Sequence, residues 1–152
     1  MMKPPAATDD LLGLELLVSS FHRLTGNPLI EPGYADVWQA CWTAPRVIVA
    51  HGTQADPLFF YGNQLALRLF ELDFAAFTQL PSRYSAEALL REERAALLDR
   101  VREHGFIDDY AGVRISATGR RFRIEQAVVW NLLDEAGALH GQAATFAHWL
   151  PL

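Results

Sequence analysis

The last third of the chain most constrains the fold. Arg121–Leu133 is a long run in which large apolar residues alternate with polar ones. Period two is the signature of a strand with one face buried. Asp134-Glu135-Ala136-Gly137 reads as a hairpin turn, and Ala138–Trp149 reads as the returning strand. A two-stranded hairpin is marginal alone in water, so it needs further strands beside it and an apolar body on at least one face.

The chain supplies both. Phe106–Ser116 reads as a strand with Gly112 as a bulge, followed by a turn at Ala117–Arg120. Arg46–Ala50 and Leu58–Tyr61 are short β-branched and aromatic runs bounded by turn residues. Helix signals fill the gaps. Asn63 is placed to cap Gln64–Phe70, and Asp73 to cap Phe74–Gln79 before Pro81. Ser85 opens a long helix to His104, closed by Gly105, with Leu90, Leu97 and Val101 on one face. Upstream, Asp9 or Asp10 caps a helix to Leu24 that is apolar over more than one face. A short helix, Tyr34–Trp42, carries Trp38 and Trp42 one turn apart.

This order predicts an α+β fold: a five-stranded antiparallel sheet with helices on one face and an N-terminal helical cap. Residues 1–45 form the helical extension and 46–150 the core. A length of 152 residues predicts that both belong to one compact domain.

Composition narrows the function. A net charge of −5 argues against a nucleic-acid partner, because phosphate contacts need a basic surface. A single cysteine forms no internal disulfide, which suits a reducing, cytoplasmic setting. No stretch approaches the roughly 20 apolar residues of a membrane span, and no signal peptide is expected.

Pairing Leu133 with Ala138 puts Phe122/Trp149, Ile124/Ala147, Gln126/Thr145, Val128/Ala143 and Trp130/Gly141 on one face, the inner one. Gln126 and Thr145 are its polar exception. They are either a hydrogen-bonded pair in a plain core or a handle that orients a small ligand in an apolar pocket. The pocket candidates are therefore Gln126, Thr145, Trp130, Val128, Ile124 and Phe122, joined by Tyr61 and His51. The opposite, outer face would carry Phe146, Ala127, Ala144 and Val129. With the N-terminal helix, it is the expected homodimer surface.

Other chemistry is thinly signalled. No two of the five histidines share a metal-binding spacing with each other or with Cys41. His104, at a helix C-terminus, suits the helix dipole better than haem ligation. Arg83, in the Pro81-Ser82-Arg83 corner, could bind an anion. His51, Asp109 and Tyr110 are candidates for acid–base work, but pairing across the Ala117–Arg120 turn sends Asp109 and Tyr110 to opposite faces.

Pro57-Leu-Phe-Phe-Tyr-Gly-Asn63, with Ala66, Leu67 and Phe70, resembles the first half of a PAS domain. Tyr110 through Gly137 and Gly141 resembles its C-terminal half. More narrowly, the chain resembles the MEKHLA family, a PAS-related group that includes free-standing bacterial proteins and the C-terminal domain of plant class III homeodomain–leucine-zipper factors. The resemblance rests on His51-Gly-Thr-Gln-Ala-Asp-Pro57, Tyr61-Gly-Asn63, Leu80-Pro-Ser-Arg83, Ser85-Ala86, Arg91-Glu-Glu-Arg94, Trp130-Asn-Leu-Leu-Asp-Glu135 and Gly141-Gln-Ala143. It implies a PAS-like fold and a sensory or interaction role without catalysis. The 152 residues hold no homeodomain or zipper stretch, so the transcription-factor role is not expected here.

The expected function is thus a non-enzymatic module sensing a small ligand. A ligand-free homodimerisation module is the alternative, and a small enzyme of the cone-shaped α+β class is a lesser one. No cofactor is firmly implied. Flavin photochemistry needs a cysteine on the helix after the first two strands, whereas Cys41 precedes both. Neither flavin nor haem is expected.

Overall fold

The computed structural model describes residues 10–85 and 91–152. In chain order these form α1 (Asp10–Thr25), α2 (Val37–Trp42), β1 (Val47–His51), β2 (Phe59–Gly62), α3 (Gln64–Phe70) and α4 (Phe74–Phe77). A 3-10 turn at Ser82–Ser85 is followed by α5 (Arg91–His104), β3 (Phe106–Ile115), β4 (Arg121–Leu133), β5 (Leu139–Phe146) and β6 (His148–Pro151). The expected start of the long helix after Ser85, and Leu90 on its face, lie outside the described residues.

The sheet is antiparallel and runs β2-β1-β5-β4-β3, with β6 continuing past β5 along β4. The single returning strand expected from Ala138 to Trp149 is therefore two strands broken at Ala147.

Helices end where their caps place them. Asn63 and Asp73 each accept a backbone N–H three residues on, at 3.1 and 2.7 Å. Asp36 does the same two residues on for α2, which starts there rather than at Tyr34. Asn63 also does more than cap. Fully buried, it accepts from the Ile48 amide (3.1 Å) and donates to the carbonyls of Cys41 (3.1 Å) and Arg46 (2.8 Å). One amide thus joins α2, β1 and α3.

Both faces of the sheet are covered. On the outer face, Leu14, Leu17 and Phe21 of α1 pack with Trp130, Leu132, Ile48 and Ala143. The Phe21 and Trp130 rings meet edge to face, 4.9 Å apart. Ser20 donates to the Leu133 carbonyl (3.1 Å) and accepts from its amide (2.9 Å), and Arg23 donates to the same carbonyl (2.8 Å). The apolar girth of α1 is thus used within the chain. Its other side shows Glu15, Ser19, His22 and Arg23 to solvent. On the inner face, α3 and α4 bury Phe70 and Phe77 against Phe122, Ile124 and Phe146, while Leu97 and Val101 of α5 meet Ile107 and Val129.

Two corrections follow for the hairpin. Its register is two residues from the expected one: Val128 faces Thr145, Trp130 faces Ala143 and Ile124 faces Trp149. The cause is the turn. The Asp134 carboxylate accepts from the amides of Ala136 and Ala138, both at 2.9 Å, which lengthens the loop until Leu133 pairs with Leu139. A further shift, between Leu132 and Leu133, puts Leu132 opposite Gly141.

Second, β4 changes faces midway. Gln126 has φ of 52°, a left-handed conformation rare for a side chain of this kind. The pleat slips there. Phe122 and Ile124 before it, and Ala127 and Val129 after it, share the inner face. Val128 and Trp130 belong with the outer core under α1.

Candidate functional site

The inner face holds a cavity of about 70 Å³ between the sheet and α5. Its apolar walls come from Val49, Phe70, Leu97, Ile124, Val129 and Phe146. Its polar groups are His51, Ser85, Tyr110, Arg114 and Gln142. At roughly 10–15 Å³ per water-sized group, it holds about five such groups.

Four of these polar groups are held by contacts of their own. Gln142 faces Asn131 across β4 and β5 and donates to its side-chain oxygen (3.0 Å). Asn131 in turn donates to the Val101 carbonyl of α5 (3.2 Å). This buried chain ties the inner face to the helix above it. His51 ends β1 and donates from Nδ1 to the Gly52 carbonyl (3.0 Å). Gly141 is required beside it: a Cβ there would lie 2.1 Å from the His51 carbonyl oxygen. Tyr110 and Arg114 stand on β3, with the guanidinium 5.2 Å from the centre of the Tyr110 ring. The Tyr110 hydroxyl occupies the space that a side chain at position 112 would need; a Cβ on Gly112 would meet it at 2.3 Å.

The expected pocket residues separate. Ile124 and His51 line the cavity, and Phe122 is buried in the inner core next to it. Gln126 is exposed. Trp130, Val128 and Tyr61 lie in the outer core, and Thr145, paired with Ile48 and Val128, lies on the same face. Among the described residues, the buried Thr145 and Tyr61 hydroxyls have no hydrogen-bond partner, and burial pushes the Tyr61 phenol well above its usual pKa. The expected Gln126–Thr145 handle is thus not on the inner face. Asn131 and Gln142 are the polar pair that is.

The expected outer-face set is corrected in the same way. Ala127, Val129, Ala144 and Phe146 belong to the inner cores. The true outer face is covered by α1. Tyr110 stands on the cavity side, whereas Asp109 is exposed and 3.6 Å from Arg100. Arg83 pairs with Asp56 at 3.0 Å. Cys41 is buried on α2, and burial pushes its thiol up to about 12, so it stays protonated. Among the described residues, no group of His, Cys, Asp and Glu side chains could hold a metal, and no helix is long and apolar enough to cross a membrane.

A five-strand antiparallel path in this order, with α3, α4 and α5 over the inner face and a small cavity beneath them, defines a PAS-type fold. Solved structures agree. The PAS domain of a Colwellia psychrerythraea protein matches with a TM-score of 0.61 at 14% identity, covering 70% of this chain and 88% of that one. The light-state dimer of the fungal blue-light photoreceptor Vivid matches with a TM-score of 0.59 at 14% identity, covering 95% and 97%. A PAS domain of a LuxR-family transcriptional regulator from Burkholderia thailandensis, solved in complex with ethanol, matches with a TM-score of 0.58 at 18% identity, covering 77% and 97%. Within that fold class the chain belongs to the MEKHLA domain family, whose model matches residues 13–151.

Curated relatives are plant homeobox–leucine zipper proteins. HOX32 of Oryza sativa subsp. indica is 30% identical over 115 residues, and ATHB-8 of Arabidopsis thaliana is 23% identical over 155. These matches cover 73% and 97% of this chain but only 13% and 18% of the plant proteins.

Proposed function

We propose that the chain is a non-catalytic sensory module whose inner cavity takes a small molecule. One observation carries this reading: the cavity combines apolar walls with a few convergent polar groups, the usual make-up of a ligand site. Its size points to a ligand of about five non-hydrogen atoms. The ethanol-bound PAS neighbour is a case of this fold with a ligand in that size class.

Two features speak against flavin or haem as the occupant. Either group far exceeds a cavity of about 70 Å³. Cys41 sits in the outer core, and α3, the helix after β2, carries no cysteine. The buried, protonated thiol suits the expected reducing cytoplasm. The homodimer alternative loses its motivating feature, because α1 spends its apolar side on its own sheet.

Uncharged fragments of about five non-hydrogen atoms or fewer, titrated into labelled protein, test the reading. Amide shifts in the ¹H–¹⁵N spectrum are expected at Val49, Ile124, Val129 and Ala144. Shifts confined to the shallow surface groove at Glu125 and His148–Leu150 would overturn it.

A further inference from the structure

We propose that the cavity selects a short-chain carboxylate and that Arg114 holds its charged end. This rests on the ligand-binding reading of the same cavity and adds the class of ligand.

Arg114 pairs with Phe122 across β3 and β4. Paired residues point to the same side, and the Phe122 ring is buried in the inner core. The guanidinium is therefore on the inner face, half-buried, at the lining of the cavity. Its planar fork carries five N–H donors. It donates to the carbonyl of Val113 (3.0 Å) and lies against the Tyr110 ring. Among the described residues it forms no ion pair. The contrast with its neighbours is plain: Arg83, Arg100, Arg102, Arg120 and Arg123 each have a carboxylate within 4 Å.

A partly desolvated cation with spare donors recognises an anion, and a guanidinium fork fits a carboxylate through two parallel hydrogen bonds. Ile124, Val129 and Phe146 supply apolar wall for the remainder of such a ligand. The complementary molecule has one carboxylate and a short alkyl tail. Propionate, with five non-hydrogen atoms, fits the available space.

The test compares propionate, its uncharged near-isostere propionamide, and inorganic phosphate, each titrated at constant ionic strength into the full chain by ¹H–¹⁵N NMR. Propionate is expected to bind at least about tenfold more tightly than propionamide. Arg114→Gln should erase that preference, and its own spectrum reports whether it is folded. Arg114→Lys, which keeps the charge and loses the fork, should retain part of the preference.

Equal binding of propionate and propionamide by the wild type overturns the carboxylate assignment and leaves the ligand-binding reading standing. So does a preference that survives in Arg114→Gln, or phosphate binding as tightly as propionate. If neither propionate nor propionamide shifts the amides of Val129 and Ala144, both readings fall together.

Discussion

Replacing Asn63 should destabilise the fold more than loss of a helix cap accounts for. A missing cap costs about 1 kcal/mol. Asn63→Ala also strands the Ile48 amide and the carbonyls of Cys41 and Arg46, all bonded to a side chain with no solvent exposure. Each buried group left unpaired costs about 1–3 kcal/mol, so a total of roughly 3–5 kcal/mol is expected after water fills part of the gap. Asn63→Asp separates the contributions. It keeps both acceptor bonds and loses both donor bonds, placing a carboxylate against two carbonyl oxygens. Burial and those carbonyls favour the protonated acid, so its folded pKa is raised above the ordinary value of about 3.9. Stability is then greatest below that ordinary value and falls as pH rises towards the folded one, by about 1.4 kcal/mol per pH unit. Urea unfolding of wild type and both variants between about pH 4 and 8 reads both effects. A cost under about 1 kcal/mol for Asn63→Ala, or an Asn63→Asp deficit that does not change with pH, would refute the reasoning.

Other outcomes follow from contacts at the edges of the sheet. Glu71 holds φ of 61° and accepts from Ser116 and Thr118 while pairing with Arg120 at 3.3 Å. Both Glu71→Ala and Glu71→Gly should lower Tm, with alanine worse by about 1 kcal/mol because only glycine is free of the left-handed penalty. Equal losses would contradict this. Ser20→Ala should cost about 1–3 kcal/mol and raise hydrogen exchange in α1 while β1 and β2 stay protected. Unchanged protection in α1 would show that the helix is not pinned there. His140 first, then the Ala138 amide, holds the Asp134 carboxylate below its usual range. Its stabilising contribution is therefore present at neutral pH and is lost as pH falls through that lowered value. In a carboxyl NMR titration, His140→Ala should move Asp134 upward; an unmoved titration would contradict it.

The elements were largely legible because their signals are local. Asn63, Asp73 and Gly105 mark boundaries by the hydrogen bonds or φ they permit, and the period of Arg121–Leu133 marks β4 from end to end. The site was less legible because two backbone irregularities decide it. A left-handed glutamine leaves no trace in an apolar pattern, yet Gln126 moves Val128 and Trp130 to the outer face. Asp134 wraps the turn with its own side chain and shifts the register, which brings Gln142 opposite Asn131. Gly141-Gln142-Ala143 was visible as a motif, but its polar member is read as inward only once Val128 and Trp130 are placed on the outer face. The apolar girth of α1, expected to form part of a homodimer surface, packs on its own sheet.

The cavity can be examined directly by soaking crystals of the wild type and of Ala144→Leu, whose larger side chain grows into it, with 1-propanol. Density for the alcohol between Ile124 and Phe146 in the wild type, absent in Ala144→Leu, is the predicted result. Alcohol found only at surface sites, or equal inner density in both proteins, would contradict a ligand-binding cavity on the inner face.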